Sequence, residues 1–440
     1  MQLIAVGITS RAYSVMDFAR RSDNNDRMQQ TDIIVVGGGP AGMFAAGHAA
    51  LAGAKVILLE RNRMCGAKIL ITGKGRCNVT NSEADPRKFV ERFGRNGKAF
   101  LTALYAYGVE DVVNFFEERQ VALTRERGGR IFPARGDARD IKKALDSFLR
   151  ESGVEVVAPC RVDHLVVDEG KVLAAETGRG RFHAERFIIA TGGLSYPETG
   201  CDGDGYRWAE NLEHHLVPTR PALVPVRLAE NWTARVTRLN LRNVEVSVWQ
   251  KGKKLAARFG EAFFTRNGIG GPIILDLSGS IRDALAAGAV ELRLDLKPAV
   301  NAEIFDQRLQ RELSDNSNRD FRNALGNLLP KVMIPIFIEL SAIDPMKKCH
   351  SVTREERKNL LCLFKQLPLK VSACDGYDKA IVTAGGVNLG DIDMRTMCSK
   401  KIPNLYFAGE MIDLDGPTGG FNLQVCWSTG YLAGISAAGK

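Results

Sequence analysis

Two cations, a thiol and two amides share the glycine-rich stretch Gly73-Lys74-Gly75-Arg76-Cys77-Asn78-Val79-Thr80-Asn81. Side chains of these types can neutralise a diphosphate, steady negative charge developing on an enolate-like oxygen, or exchange electrons through a thiol. Thiol–disulfide exchange needs two cysteines a few residues apart, and Cys65 stands twelve positions before Cys77. Lys74, Arg76 and Cys77 are the catalytic candidates, the two cations as charge stabilisers. A second group, Gly37, Gly39 and Gly42 with Pro40 and Ala41 between them, has the G-x-G-x-x-G spacing. It suits a tight turn, a close approach of backbone to a pyrophosphate and a helix lying near a sheet. Glu60, about 20 residues on, can accept hydrogen bonds from an adenosine ribose and favours a free 2′-hydroxyl, as in FAD or NAD, over NADP. A third group, Asp413 and Asp415 followed by Gly416-Pro-Thr-Gly419-Gly420-Phe421-Asn422, places acids before a glycine turn that opens a helix. A helix N-terminus there would face a second part of the ligand and favour negative charge on it.

These groups need elements to hold them. Ile33 to Val36 reads as a buried parallel strand, Met43 to Leu51 as an Ala-rich helix and Lys55 to Leu59 as a second strand ending at Glu60. Arg61 to Asn81, with Arg61, Lys68, Gly75 and Asn78 among its donors and turns, reads as a loop wrapping a diphosphate. Helices are expected over 85–107, 109–118 and 137–152, with a polar hairpin over 124–133. Residues 154 to 184 read as a meander of short strands that includes Val162. Phe187 to Ala190 then forms a buried strand ending in Thr191-Gly192-Gly193, the layout of the FAD domain in glutathione-reductase-type flavoproteins. From Ser195 the pattern breaks. Residues 200–368 read as an inserted domain, β-rich over 218–298 and helical over 300–368. The nucleotide domain, 31–199 in its first part, resumes over 369–440 with a buried strand over Ile402 to Glu410 that ends in the small residues Ala408-Gly409, and a helix to Ser436. Tyr196, Tyr206, Cys374 and Cys426 are expected to pack rather than react.

The formal charge is +9 over 440 residues, with no block of five or six like charges, which favours solubility and attraction of small anions over nucleic acid. No apolar run approaches the length of a membrane span. Nine cysteines without C-x-x-C, and six scattered histidines, give no disulfide framework and no metal site, and point to a reducing cytoplasm. Residues 1–30 mix charges without an apolar core and read as a disordered or mis-started tail, with Met28 standing just before the first strand as a start codon would.

Taken together, Gly73 to Asn81, Thr383-Ala-Gly-Gly-Val387, Tyr406 to Glu410 and Thr418-Gly-Gly-Phe-Asn-Leu-Gln424 resemble the BaiN/YhiN-like family of bacterial FAD-dependent oxidoreductases. The resemblance implies an α/β Rossmann-like FAD domain split by an insert with a β-barrel-like part and a helical part. It implies hydride transfer through flavin N5 to an unsaturated carbonyl or quinone-like small molecule, with NADH or NADPH as a transient donor. One branch is associated with reduction of carbon–carbon double bonds in 3-oxo bile acids. Thr265-Arg266 stands where that family usually has Thr-His, and Val425 where a Trp often follows, so a branch-specific substrate does not carry over. A second G-x-G-x-x-G unit is absent, so a nicotinamide donor would bind over the flavin without a Rossmann domain of its own. Two other readings stay open. One is an RNA-modifying flavoprotein, suggested by the basic residues Lys347, Lys348, Arg354, Arg357 and Lys358 of the insert; the other is a flavin-binding sensor without turnover.

Overall fold

In the computed structural model, residues 29–237 and 239–440 are described. Its centre is a parallel sheet whose strands run, from one edge, Glu155–Val157, Val56–Leu59, Gln29–Val36, Gly180–Ile189 and Leu405–Phe407. Two short antiparallel strands, Cys398–Ser399 and Ile392–Asp393, extend the far edge. Ile33, Ile34 and Val35 are wholly buried, as β-branched residues between two neighbours and two covered faces should be. The register brings Val36 level with Leu59 and with Ile189, and Ile189 level with Phe407. The carboxyl ends of these strands therefore form one rim, and chain from both ends of the sequence contributes to it.

Helix Pro40–Leu51 leaves the first strand and lies against the C-terminal helix Phe421–Ala437. Two glycines permit that contact: a Cβ on Gly430 would stand 2.4 Å from the Ala41 carbonyl oxygen, and one on Gly434 the same distance from that of Ala45. Trp427, fully buried, donates its indole N–H to the Val79 carbonyl at 2.9 Å and so ties the last helix to the loop at 73–81.

Three local expectations change. The stretch expected as one helix over 85–107 is two, Pro86–Glu91 and Gly97–Ala106, broken where Gly94 adopts a φ of +59°. Glu155–Val157 is not part of the meander but the parallel edge strand beside Val56–Leu59, because its length is too short for local periodicity to distinguish the two. The last meander strand and the buried strand at 187–190 are one continuous strand, Gly180–Ile189, paired at its start with Lys171–Thr177 and throughout with Gln29–Val36.

Beyond residue 204 a two-stranded stem, Leu216–Ala222 with Val382–Val387, leads to a closed six-stranded barrel. Helices Ala302–Asp315, Ile334–Ser341 and Arg354–Gln366 cover it, and Phe305, Phe337 and Phe364 pack together at their centre. The expected boundary at 368 falls inside strand Leu367–Cys374, which pairs with Glu291–Asp295 and Val226–Leu228 as a barrel strand. Among the described residues no helix is long and apolar enough to cross a membrane.

Candidate functional site

The rim of the sheet opens into a groove of about 830 Å³, including space open to solvent. Gly37 turns the chain at a φ of +104°, where a Cβ would meet the Ala190 carbonyl oxygen at 2.5 Å. Gly42 is the packing glycine: its Cβ would fall 1.8 Å from the Gly37 oxygen. Gly39 differs from both, since nothing lies within 4 Å of where its Cβ would stand. It caps helix Pro40–Leu51, whose first N–H groups have no intrahelical acceptor and present the positive end of the helix dipole. The space in front of Gly39 is the one an anion would fill.

Glu60 sits at the end of the second strand, 6% exposed. One carboxylate oxygen accepts from the Gly38 N–H and the other from the Asn62 N–H, each at 2.7 Å. Burial pushes its pKa up while those two bonds oppose the shift, and each oxygen keeps a lone pair for a ribose hydroxyl. Across the groove, Arg61 pairs with Asp202 at 2.5 Å and Arg161 with Asp204 at 3.0 Å, closing the adenosine end. Of the residues expected at the cofactor, Gly37, Gly39, Pro40, Ala41, Glu60, Arg61, Lys68, Val162, Ala190, Thr191, Gly192 and Glu410 line this groove together. Asn62, Cys160, Arg161 and the segment from Thr199 to Asp204 line it too and were not expected. The polar turn at 195–206 was the one available signal for the last of these.

At the middle of the groove Lys68 and Glu410 form an ion pair of 2.7 Å, their side chains only 18% and 17% exposed. Ser195 Oγ accepts from Lys68 at 2.6 Å and donates to Glu410 at 2.7 Å, and the Thr383 N–H donates to Glu410 at 2.8 Å. Burial opposes both charges, yet each partner outweighs it, holding the Lys68 pKa up and that of Glu410 down. Four separate segments, including the stem strand of the insert, meet on this carboxylate. Gly409 packs here as well, its missing Cβ 2.7 Å from that of Ala41.

The loop at 73–81 departs from expectation. Gly75, Arg76, Cys77 and Asn78 do not line the groove. Cys77 is fully buried, and that burial pushes its thiol up to about 12, so it is no nucleophile near neutral pH. Arg76 pairs with Glu126 at 2.7 Å and lies over the Phe132 ring. Lys74 stands exposed over Phe263 of the barrel, 5.2 Å from the ring centre. Asn78, with its amide oriented to pair both groups, accepts from the Gly420 N–H at 2.9 Å and donates to the Ile131 and Thr80 carbonyls. Asn81 donates to the Gly419 carbonyl at 2.9 Å, and Thr80 packs so close that only glycine fits at 420. This loop holds the start of the C-terminal helix.

None of Asp413, Gly419, Gly420, Phe421 and Asn422, also expected at the cofactor, lines the groove either. Asn422 folds its side chain back onto Gly416, accepting from its N–H and donating to its carbonyl, while Phe421 packs on Phe89 and Phe93. Asp413 accepts from the Asn96 amide at 2.8 Å. Asp276, on the insert's helix Pro272–Ala286, accepts from the Thr418 N–H at 2.8 Å, so insert and turn are joined here. Asp415 has its pKa raised to about 6 by burial and then by the Asp413 carboxylate. A dinucleotide fits the groove: Glu60 offers a ribose acceptor and Gly39 an open cradle.

A family model described as HI0933-like protein Rossmann domain matches residues 31–436. The 3-dehydro-bile acid delta(4,6)-reductase of Clostridium scindens is 32% identical over 408 residues, 92% of this chain and 98% of that protein. The ribosomal RNA dihydrouridine synthase of Haemophilus influenzae is 28% identical over 412 residues, 93% of this chain and 98% of that protein. Among solved structures, the 3-ketosteroid-delta4-(5alpha)-dehydrogenase of Rhodococcus jostii in complex with 4-androstene-3,17-dione superposes with a TM-score of 0.54 at 16% identity. That match covers 96% of this chain and 99% of the other, and at such identity it is a likeness of fold.

Proposed function

We propose, from the premise that the chain belongs to the HI0933-like Rossmann-domain family, that it is an FAD-dependent reductase of carbon–carbon double bonds conjugated to a carbonyl. NADH or NADPH is the electron donor in this reading. The observation that carries it is the open cradle at Gly39 between a buried ribose-accepting carboxylate and a helix N-terminus. The relatives' names support the bond type. A 3-oxo steroid with a Δ4 double bond and a uracil ring both present C=C in conjugation with C=O, and the names of two relatives describe saturation of one or the other.

FAD, when bound, supplies the two-electron hydride chemistry. Glu60 takes the adenosine ribose, and the start of helix Pro40–Leu51 with Gly39 takes the pyrophosphate. Ala190, Thr191, Gly192 and the Lys68–Glu410 pair would hold the ribityl chain, and Asp413 would offer its hydroxyls an acceptor. The turn from Gly416 to Asn422 presents the second helix start to the flavin ring, where it favours negative charge. Of the three catalytic candidates, Lys74 alone keeps a side chain neither buried nor ion-paired, since Arg76 is held by Glu126 and Cys77 is buried, and it is the one left to steady an enolate-like oxygen. The balance is one hydride and one proton added across the double bond for each nicotinamide oxidised.

The test is anaerobic mixing of the purified protein with NADH and with NADPH, followed by enones, uracil nucleotides and quinones. The reading expects loss of flavin absorbance with one donor and its return with an acceptor, whose mass rises by two hydrogens. No bleaching with either donor would favour a flavin-binding module without turnover.

A further inference from the structure

The basic residues of the helical insert have acidic partners: Lys347 pairs with Glu356, Lys348 with Asp320 and Arg357 with Asp306. Charge is concentrated instead at the adenosine end of the groove, where three arginines meet two acids. Arg61 pairs with Asp202 at 2.5 Å, Arg161 meets the same carboxylate at 3.6 Å, and Asp204 takes Arg161 at 3.0 Å with Arg207 beside it. Both groove arginines adjoin the ribose acceptor. Arg61 follows Glu60 in the chain, and Arg161 follows Cys160, whose N–H donates to the Glu60 carbonyl at 2.7 Å.

What these side chains hold is a strap rather than a strand. One end is fixed by Ser195, fully buried, and by Tyr196, whose N–H donates to the Tyr377 carbonyl at 3.1 Å. The other end is fixed by Asp204, which opens helix Asp204–Asn211 with its side chain 7% exposed. Between them the backbone bonds to itself in turns, Thr199 N–H to the Tyr196 carbonyl at 2.8 Å and Gly200 N–H to that of Pro197 at 3.0 Å. Its ties to the second strand's end are side chains. Asn62 Nδ2 donates to the Thr199 carbonyl at 2.9 Å, and Arg61 Nη1 donates to the Gly200 carbonyl at 3.2 Å besides pairing with Asp202. The strap lies directly on them, since a Cβ on Gly200 would stand 2.8 Å from Asn62 Nδ2. Under it Cys201 is buried, its sulfur 3.0 Å from where a Gly192 Cβ would be, so the strap sits closed on the groove. The Arg61 and Asp202 side chains are 29% and 33% exposed, and salt therefore reaches their ion pair.

We propose that residues 197–203 are a strap over the adenosine half of the groove, clasped by the Arg61–Asp202 ion pair and the Asn62–Thr199 hydrogen bond, and that this clasp opens to let FAD in and out. The proposal rests on the FAD reading and deepens it: the residues next to the ribose acceptor govern how fast the cofactor exchanges. A clasp acts on passage in both directions, so loosening it raises the association and dissociation rates together. A direct contact with the cofactor, once lost, raises dissociation alone. Salt separates the two as well. Screening the clasp speeds entry, whereas screening an attraction between arginine and the diphosphate slows it.

Stopped-flow mixing of the flavin-free full chain with FAD, followed by flavin fluorescence, gives the association rate. Loading with radiolabelled FAD and chasing with excess unlabelled FAD gives the dissociation rate. Asp202→Asn is expected to raise both rates about threefold, the worth of one partly exposed ion pair. Arg61→Gln, which also loses the bond to Gly200, is expected to raise both about tenfold. The ratio of the two rates, and so the affinity, should stay nearly unchanged in each variant. In the unaltered protein both rates should climb from low to high salt, and that series decides the matter if either variant fails to fold. Dissociation that quickens without association, association that slows with salt, or rates indifferent to Asp202→Asn and Arg61→Gln each overturns the clasp and leaves the flavin reading standing. An unaltered protein that takes up no FAD overturns both.

Discussion

Breaking the Lys68–Glu410 pair should cost far more than an ordinary surface ion pair, and the structure sets the scale. Both side chains are less than a fifth exposed, the ion pair is 2.7 Å long, and Glu410 also accepts from Ser195 and Thr383. Lys68→Met leaves a buried carboxylate with two neutral donors and no cation, a loss of about 3–5 kcal/mol. Glu410→Gln leaves the ammonium facing an amide and Ser195 Oγ, with a loss of similar size. The double variant has no buried charge to strand, so its loss should be no greater than that of the worse single variant. The expected coupling is therefore at least the smaller single loss, about 3 kcal/mol or more in a double-mutant cycle. Urea unfolding of the FAD-saturated proteins, followed by circular dichroism, measures it. The same cycle on FAD affinity should show coupling, because the pair lines the groove. A coupling energy below about 0.5 kcal/mol would put the pair in the class of exposed ion pairs and refute the claim that it is a buried junction.

Gly39→Ala and Gly42→Ala should separate cofactor binding from folding. Gly39→Ala meets nothing in the protein, so the melting temperature of the FAD-free form should hold while FAD affinity falls at least tenfold, whereas Gly42→Ala, 1.8 Å from the Gly37 oxygen, should destabilise both forms. His48 sits among Phe44, Tyr107, Phe115 and Phe148 with Nε2 unpartnered, and burial, then the Arg119 cation, pulls its pKa from 6.5 to about 4. The unfolded chain takes up that proton first, so stability complete above pH 6.5 is lost as pH falls towards 4, by about 3 kcal/mol, and His48→Leu should flatten that slope in urea titrations. Asp415 works the other way. Its raised pKa makes the folded form hold the proton, so its contribution is full below pH 3.8 and fades as pH rises through about 6. Asp415→Asn should accordingly raise the melting temperature at pH 8 and leave it unchanged at pH 3.5.

The first half of the site was legible because its signal is local. The first strand, the glycine turn, the helix and Glu60 occupy some 30 consecutive residues, and each piece carries its own physical reason. The packing of Cys77 and the pairing of Asn78 were not legible because their partners are distant. Nothing near Asn78 says that Gly420 will occupy its amide, and nothing near Cys77 says that the thiol will be sealed under the same junction. Lys68 and Glu410 were both expected at the cofactor, yet their pairing across 342 positions has no signature in either segment. The strand at 155–157 was misplaced for a different reason, since three residues carry too little pattern to separate a hairpin from a parallel edge. Charge was the least legible property. The runs of Lys and Arg in the helical insert stand out in the sequence, but their acids lie on neighbouring elements and neutralise them.

The central claim is that both ends of the chain close around one FAD. It is tested most directly by titrating flavin-free protein with FAD and following both flavin fluorescence and the visible spectrum. The account predicts saturation at one FAD per chain, with binding greatly weakened by Gly39→Ala. A protein that is colourless as purified and takes up no added FAD would contradict it.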